Sequence, residues 1–163
     1  MEYNRLAAVR YARQWAFRRN PAYYNFDEIG GDCTNFVSQC VYAGSGVMNF
    51  TPDTGWYYIS PDMRAPAWTS VRFFYEFMTT NEGPGPYGTQ AELSEARPGD
   101  VMQFAYGGSE DFTHTLLIVG TSRNPNPQNI LLAAHTRDAF ARRMSTYDYT
   151  NARLIHIEAV REP

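Results

Sequence analysis

An α+β domain with an antiparallel sheet is what this sequence predicts, and three observations predict it. Helix-period apolar spacing dominates the first half of the chain, short apolar runs of strand length dominate the second, and Gly/Pro/Asn turn signals separate those runs. With 163 residues, the chain suits one domain with a real core, spanning residues 1–163. Hydrophobic residues make up 44% and charged residues 19%, a balance that folds rather than stays disordered.

The first helix is expected over residues 3–18. Ala8, Tyr11, Ala12 and Trp15 share one face at i, i+3, i+4, i+7, and Asn20-Pro21 ends the run. After Tyr23-Tyr24-Asn25-Phe26 and Gly30-Gly31-Asp32, a second helix is expected from about Cys33 to Ala43. Asp32 suits its N-cap, Gly44 its C-terminal glycine, and Phe36, Val37, Cys40 and Val41 its buried stripe. Residues 45–67 read as a long surface loop, and 68–79 as a third helix with Trp68, Val71, Tyr75 and Met78 inward. The segment 82–99 is turn-rich. Strands are then expected at 101–104, 113–121, 130–135 and 153–160.

Composition removes several function classes. There are 2 Cys and 3 His, too few for a disulfide scaffold or a multi-cysteine zinc module. All 14 basic residues are arginine, which excludes Schiff-base and P-loop lysine chemistry. The net charge of −3 and the lack of a basic stripe argue against a nucleic-acid partner. No transmembrane segment is expected, because no apolar run nears the roughly 20 residues that span a bilayer. The N-terminal residues have no signal-peptide core, so the chain reads as cytoplasmic or as an excised domain of a longer secreted protein.

Cys33 is the sharpest chemical feature. A thiol in the first helical turn meets the positive end of the helix dipole and free backbone amides, both of which favour the reactive thiolate. The glycines before it leave room for a substrate carbonyl, and the Cys33 amide can donate to a developing oxyanion. The competing reading is a buried structural thiol, the role expected for Cys40. His114 opens a strand beside a polar loop, where a base is held rigidly and still faces a cleft. If 113–121 and 130–135 pair antiparallel, His114 and His135 lie close together, and His135 orients His114. Asp138 is the rival for that orienting role, and His156 reads as structural. Zinc on Cys33, His114 and His135 is the weaker alternative, since no pair has the short local spacing of zinc sites; no metal or organic cofactor is expected.

Gly30-Gly31-Asp32-Cys33-Thr34-Asn35-Phe36-Val37-Ser38-Gln39-Cys40 resembles the nucleophile segment of the bacterial putative amidase domain family, related to the NlpC-type and CHAP-type cysteine hydrolases of the papain-like superfamily. The likeness extends through Tyr3-Asn4-Arg5, Tyr23-Tyr24-Asn25-Phe26, Trp68-Thr69-Ser70-Val71, Pro98-Gly99-Asp100-Val101, Thr113-His114-Thr115 and His135-Thr136-Arg137-Asp138. It implies a papain-like fold with the nucleophile helix packed on an antiparallel sheet. Cys33 matches the nucleophile, His114 the base and His135 the third polar position. Tyr23 or Tyr24 matches a tyrosine that lines the oxyanion site, beside Asp32. Peptidoglycan amide bonds are the substrates of related cell-wall hydrolases.

The expected activity is therefore cysteine-dependent hydrolysis of a peptide or peptidoglycan amide, with Trp56 and Tyr57 of the 45–67 loop either walling the cleft or packing the loop onto the core. Two alternatives stand beside it: a non-catalytic module binding a wall peptide or protein, and a thioester acyltransferase.

Overall fold

A computed structural model describes residues 1–163. Helix α1 (Arg5–Trp15) starts where Asn4 accepts the Ala7 amide at 3.0 Å, a side-chain cap. Helix α2 (Cys33–Ser45) is buried along nearly its whole length and ends at Gly46, which takes the left-handed φ of 67°. Gly44, expected as the terminating glycine, is instead helical. A Cβ there would lie 2.6 Å from the Tyr3 ring, so this glycine lets the N-terminal strap cross the helix.

The expected third helix is two, α3 (Pro66–Thr69) and α4 (Val71–Thr80). Ser70 is extended between them, and its hydroxyl caps α4 by accepting the Phe73 amide at 3.3 Å. The expected surface loop 45–67 is also ordered. It holds a small hairpin, β1 (Tyr58–Ser60) with β2 (Met63–Arg64), and an Asn49–Trp56 bridge.

Six strands follow: β3 (Gly85–Ala91), β4 (Val101–Ala105), β5 (His114–Gly120), β6 (Leu131–Ala134), β7 (Ala139–Arg143) and β8 (Asn151–Arg161). They form one antiparallel sheet in the order β3-β8-β4-β5-β6-β7. The α+β expectation therefore holds, with two strands the spacing did not predict. β3 carries Gly85, Pro86 and Gly88, which weaken a strand signal; at a sheet edge they are tolerated, and Gly88 lets the His156 carbonyl approach. β7 is short and half-exposed, and joins β6 through a tight turn at Thr136-Arg137.

Alternation along the strands makes two cores. Leu117, Ala133, Ile155 and Ile157 face the helices and pack with Phe36, Val37, Cys40, Trp68 and Phe74. Met102, Phe104, Leu116, Ile118 and Leu132 face the other way, covered by Ala96 and Met144 with Tyr147 and Tyr149. Each large side chain so buried contributes roughly 1.5–3 kcal/mol. At the start of β4, Asp100 is fully buried and ties the layers, accepting from Arg5 at 2.7 Å, the Ile157 amide at 3.0 Å and His156 at 2.9 Å. His156 is thus a structural residue. No helix is long and apolar enough to cross a membrane.

Candidate active site

The start of α2 meets the start of β5. Thr34 and Thr115 share a hydroxyl hydrogen bond at 2.9 Å, and the Cys33 thiol rests against the Thr115 backbone amide and the Thr34 hydroxyl. Cys33 is 8% exposed. Burial pushes its thiol pKa up, and the hydrogen bonds from Thr115 and Thr34 offset only part of that. The thiolate favoured by the helix-start argument is therefore corrected: Cys33 rests as a thiol. Cys40 is fully buried in the helix-side core.

His114 is the first residue of β5 and pairs with Phe104, so it shares Phe104's face of the sheet, away from α2. Its ring makes no hydrogen bond to protein and borders an open cleft of about 380 Å³, walled also by Tyr106, Thr136, Arg137, Arg142 and Tyr147. Burial lowers its pKa from the ordinary 6.5 to about 4, so the imidazole is neutral at pH 7. Cys33 and His114 thus reach the end of β5 from opposite faces, and no hydrogen bond joins them.

His135 does not orient His114. Leu117 pairs with Ala133, a register that puts Thr115 opposite His135 and turns the two histidines to opposite faces. The strand ends are neighbours, as the sequence suggested, but a one-residue offset separates the side chains. His135 stacks on Phe36 of α2 with centroids 4.0 Å apart. Its Nδ1 meets Asp32 Oδ2 at 2.5 Å and its Nε2 donates to the Trp15 carbonyl at 2.8 Å. The rival Asp138 accepts two hydrogen bonds from Arg19, at 2.9 and 3.0 Å, and makes none to His114.

Asp32 is likewise not a substrate contact. It is 1% exposed, and its oxygens accept from the Phe26 amide and Asn35, both at 2.9 Å, as well as meeting His135. Burial raises its pKa, yet the bonds from His135, Asn35 and Phe26 together outweigh burial and lower it. Because that carboxylate turns away from the helix it precedes, no side chain caps α2. Its first-turn amides are left without a side-chain acceptor.

The aromatic candidates divide. Trp56 is fully buried, donating to Ser38 at 3.0 Å and packing on Trp68, so it is core and not a cleft wall. Tyr57 packs against Phe50, and Tyr23 stacks on Trp68, its hydroxyl pKa pushed up by burial to about 12. Tyr24 stands exposed beside Phe26, and its carbonyl anchors Asn35 at 2.9 Å. None of these four borders the His114 cleft. The tyrosine that does, and that the sequence reading missed, is Tyr106. It follows β4 directly, and Cys33, Arg137 and Arg142 all lie near enough to act on its hydroxyl electrostatically. The strand pairing of β4 with β5 was the one signal pointing to it.

The chain matches the putative amidase domain family over residues 2–158 and belongs to that family. It is also 33% identical over 155 residues to the uncharacterized protein YhbB of Bacillus subtilis (strain 168), covering 91% of this chain and 46% of that protein. The chain thus spans about half the length of this relative. No solved structure matches it.

Proposed function

We propose that this protein is a cysteine amidase of papain-like layout, with Cys33 as nucleophile and His114 as base. The observation that carries the reading is a neutral His114, free of protein hydrogen bonds, one residue from the Thr115 amide against which the Cys33 thiol rests. A base needs an unoccupied lone pair, and His114 alone of the three histidines is free of partners.

The chemistry starts from a neutral pair, not an ion pair. Because burial separates the two pKa values in the unfavourable sense, the proton passes to His114 as sulfur attacks the amide carbon, once the His114 side chain has swung around the start of β5 to meet the thiol. The first-turn amides of α2, uncapped by Asp32, receive the oxyanion. Tyr106 donates beside them, in the place the family resemblance implies for Tyr23 or Tyr24. The C–N bond breaks as His114 returns the proton to the leaving amine. Water, deprotonated by His114, then cleaves the thioester to a carboxylate and the free thiol. Asp32 and His135 hold the Cys33 segment from below, as positioning residues.

Peptide amides of peptidoglycan are the substrate class proposed. Incubation with purified peptidoglycan, followed by mass analysis of released fragments, tests it. New amine and carboxylate termini formed by the wild type and absent with Cys33→Ala are expected; identical fragments from both proteins would refute the reading.

A further inference from the structure

We propose that Arg137, backed by Arg142, makes the His114 cleft selective for substrates carrying a carboxylate beside the scissile amide. This rests on the cysteine-amidase reading and adds the substrate's charge to it.

Arg137 sits in the four-residue turn 135–138 between β6 and β7, directly in the cleft wall. It makes no hydrogen bond and no ion pair, and it is exposed. Its sequence neighbour Asp138 is held by Arg19 on the far side of the turn and does not neutralise it. Arg142 donates to the Thr146 hydroxyl at 2.8 Å and the Thr146 carbonyl at 2.7 Å, and lies 3.9 Å over the Tyr147 ring. Every one of those partners is uncharged. The cleft wall thus holds two guanidinium groups against one carboxylate, Asp148, with His114 neutral. That local excess stands out on a chain whose net charge is −3.

The turn itself is costly. Thr136 and Arg137 sit at φ of 64° and 60°, a left-handed pair that favours Asn-Gly and penalises a β-branched residue. Such outliers concentrate where geometry serves a site. Here the turn aims one unpaired guanidinium at the cleft, and the nucleophile loop packs on it: a Cβ on Gly31 would lie 3.5 Å from the Thr136 hydroxyl. A guanidinium offers a planar fork that matches a carboxylate, and a free one in a partly desolvated cleft attracts an anion.

Cys33 itself reports the selectivity. Iodoacetate and iodoacetamide undergo the same displacement: the sulfur–carbon bond forms, iodide leaves, and the thiol proton goes to base or buffer. Only the charge of the reagent differs. Alkylation is followed at pH 8 and low salt by peptide mapping, which separates Cys33 from Cys40, with N-acetylcysteine as the reference thiol. The iodoacetate-to-iodoacetamide rate ratio at Cys33 is expected to exceed the reference several-fold and to fall towards it in 0.5 M salt. Arg137→Asn, which keeps a residue at ease in the left-handed turn, removes the preference, and Arg137→Lys retains most of it. A wild-type ratio equal to the reference, or one unchanged by Arg137→Asn, overturns the proposal while leaving the amidase reading intact. The His114→Gln variant separates the two. If iodoacetamide labelling of Cys33 is no slower without His114, the dyad fails, whereas the charge preference still stands on its own ratio.

Discussion

The two faces of the sheet treat histidine in opposite ways. On the helix side, His135 is 1% exposed, stacked on Phe36 and bonded through both ring nitrogens, to Asp32 and to the Trp15 carbonyl. On the loop side, His114 is 9% exposed, has no bonded partner and borders a cleft. One ring is fully satisfied and serves position; the other has no protein partner, opens onto the cleft and is available for proton transfer. The difference teaches that burial alone does not make a reactive histidine. What counts is a lone pair with no partner but the substrate or the thiol.

The comparison breaks most visibly in activity. Cys33→Ala is expected to abolish amide cleavage, and His114→Gln to lower kcat/KM by about 10²–10⁴-fold with the fold retained. Stability should run the other way. Asp32→Ala leaves His135 Nδ1, the Phe26 amide and the Asn35 side-chain amide without their buried acceptor, so it is expected to lose about 3 kcal/mol or more in urea unfolding. His114→Gln should lose far less; equal losses would mean that the two faces do not differ as described.

Acid sharpens the contrast further, because the two sites titrate in different windows. The pKa of His114 is lowered in the folded state, so its contribution is fully present above its ordinary 6.5 and is lost as pH falls towards about 4. The loss is at most about 3 kcal/mol. Asp32 also sits below its ordinary 3.8, so its contribution persists until pH falls through that lower value. Urea midpoints measured from pH 7 to 4.5 should therefore slope downward in the wild type and much less in His114→Gln. A slope that survives the substitution would assign it to other groups. The smallest effect belongs to Tyr147, whose hydroxyl is the one buried side-chain polar atom without a hydrogen-bond partner. Tyr147→Phe should raise stability, by up to about 1 kcal/mol, and a lower Tm would show that the hydroxyl is bonded in solution.

Much of this was legible in the sequence where the signal is local. The existence of α1 follows from its apolar period, the start of α2 from the Gly-Gly-Asp-Cys segment, and β4, β5, β6 and β8 from apolar runs between turn residues. The missed strands β3 and β7 carry weak local preference and depend on their neighbours β8 and β6. Of the two readings open for Trp56, cleft wall or loop packing, tertiary contacts select the second: its burial comes from Trp68, Phe77 and Ser38, all distant in the chain.

By itself, then, the sequence determined the layered α+β class and put Cys33 and His114 at the two element starts where they stand. Capping, periodicity and turn chemistry act over a few residues, and those residues are adjacent on the chain. Only the tertiary structure decided which face each histidine takes and what it touches there. Strand register carries that information, and a shift of one residue between β5 and β6 would exchange the faces. The same holds for the thiol: the helix start argued for an easily ionised Cys33, but burial against β5 outweighs it, because desolvation depends on everything packed around the sulfur.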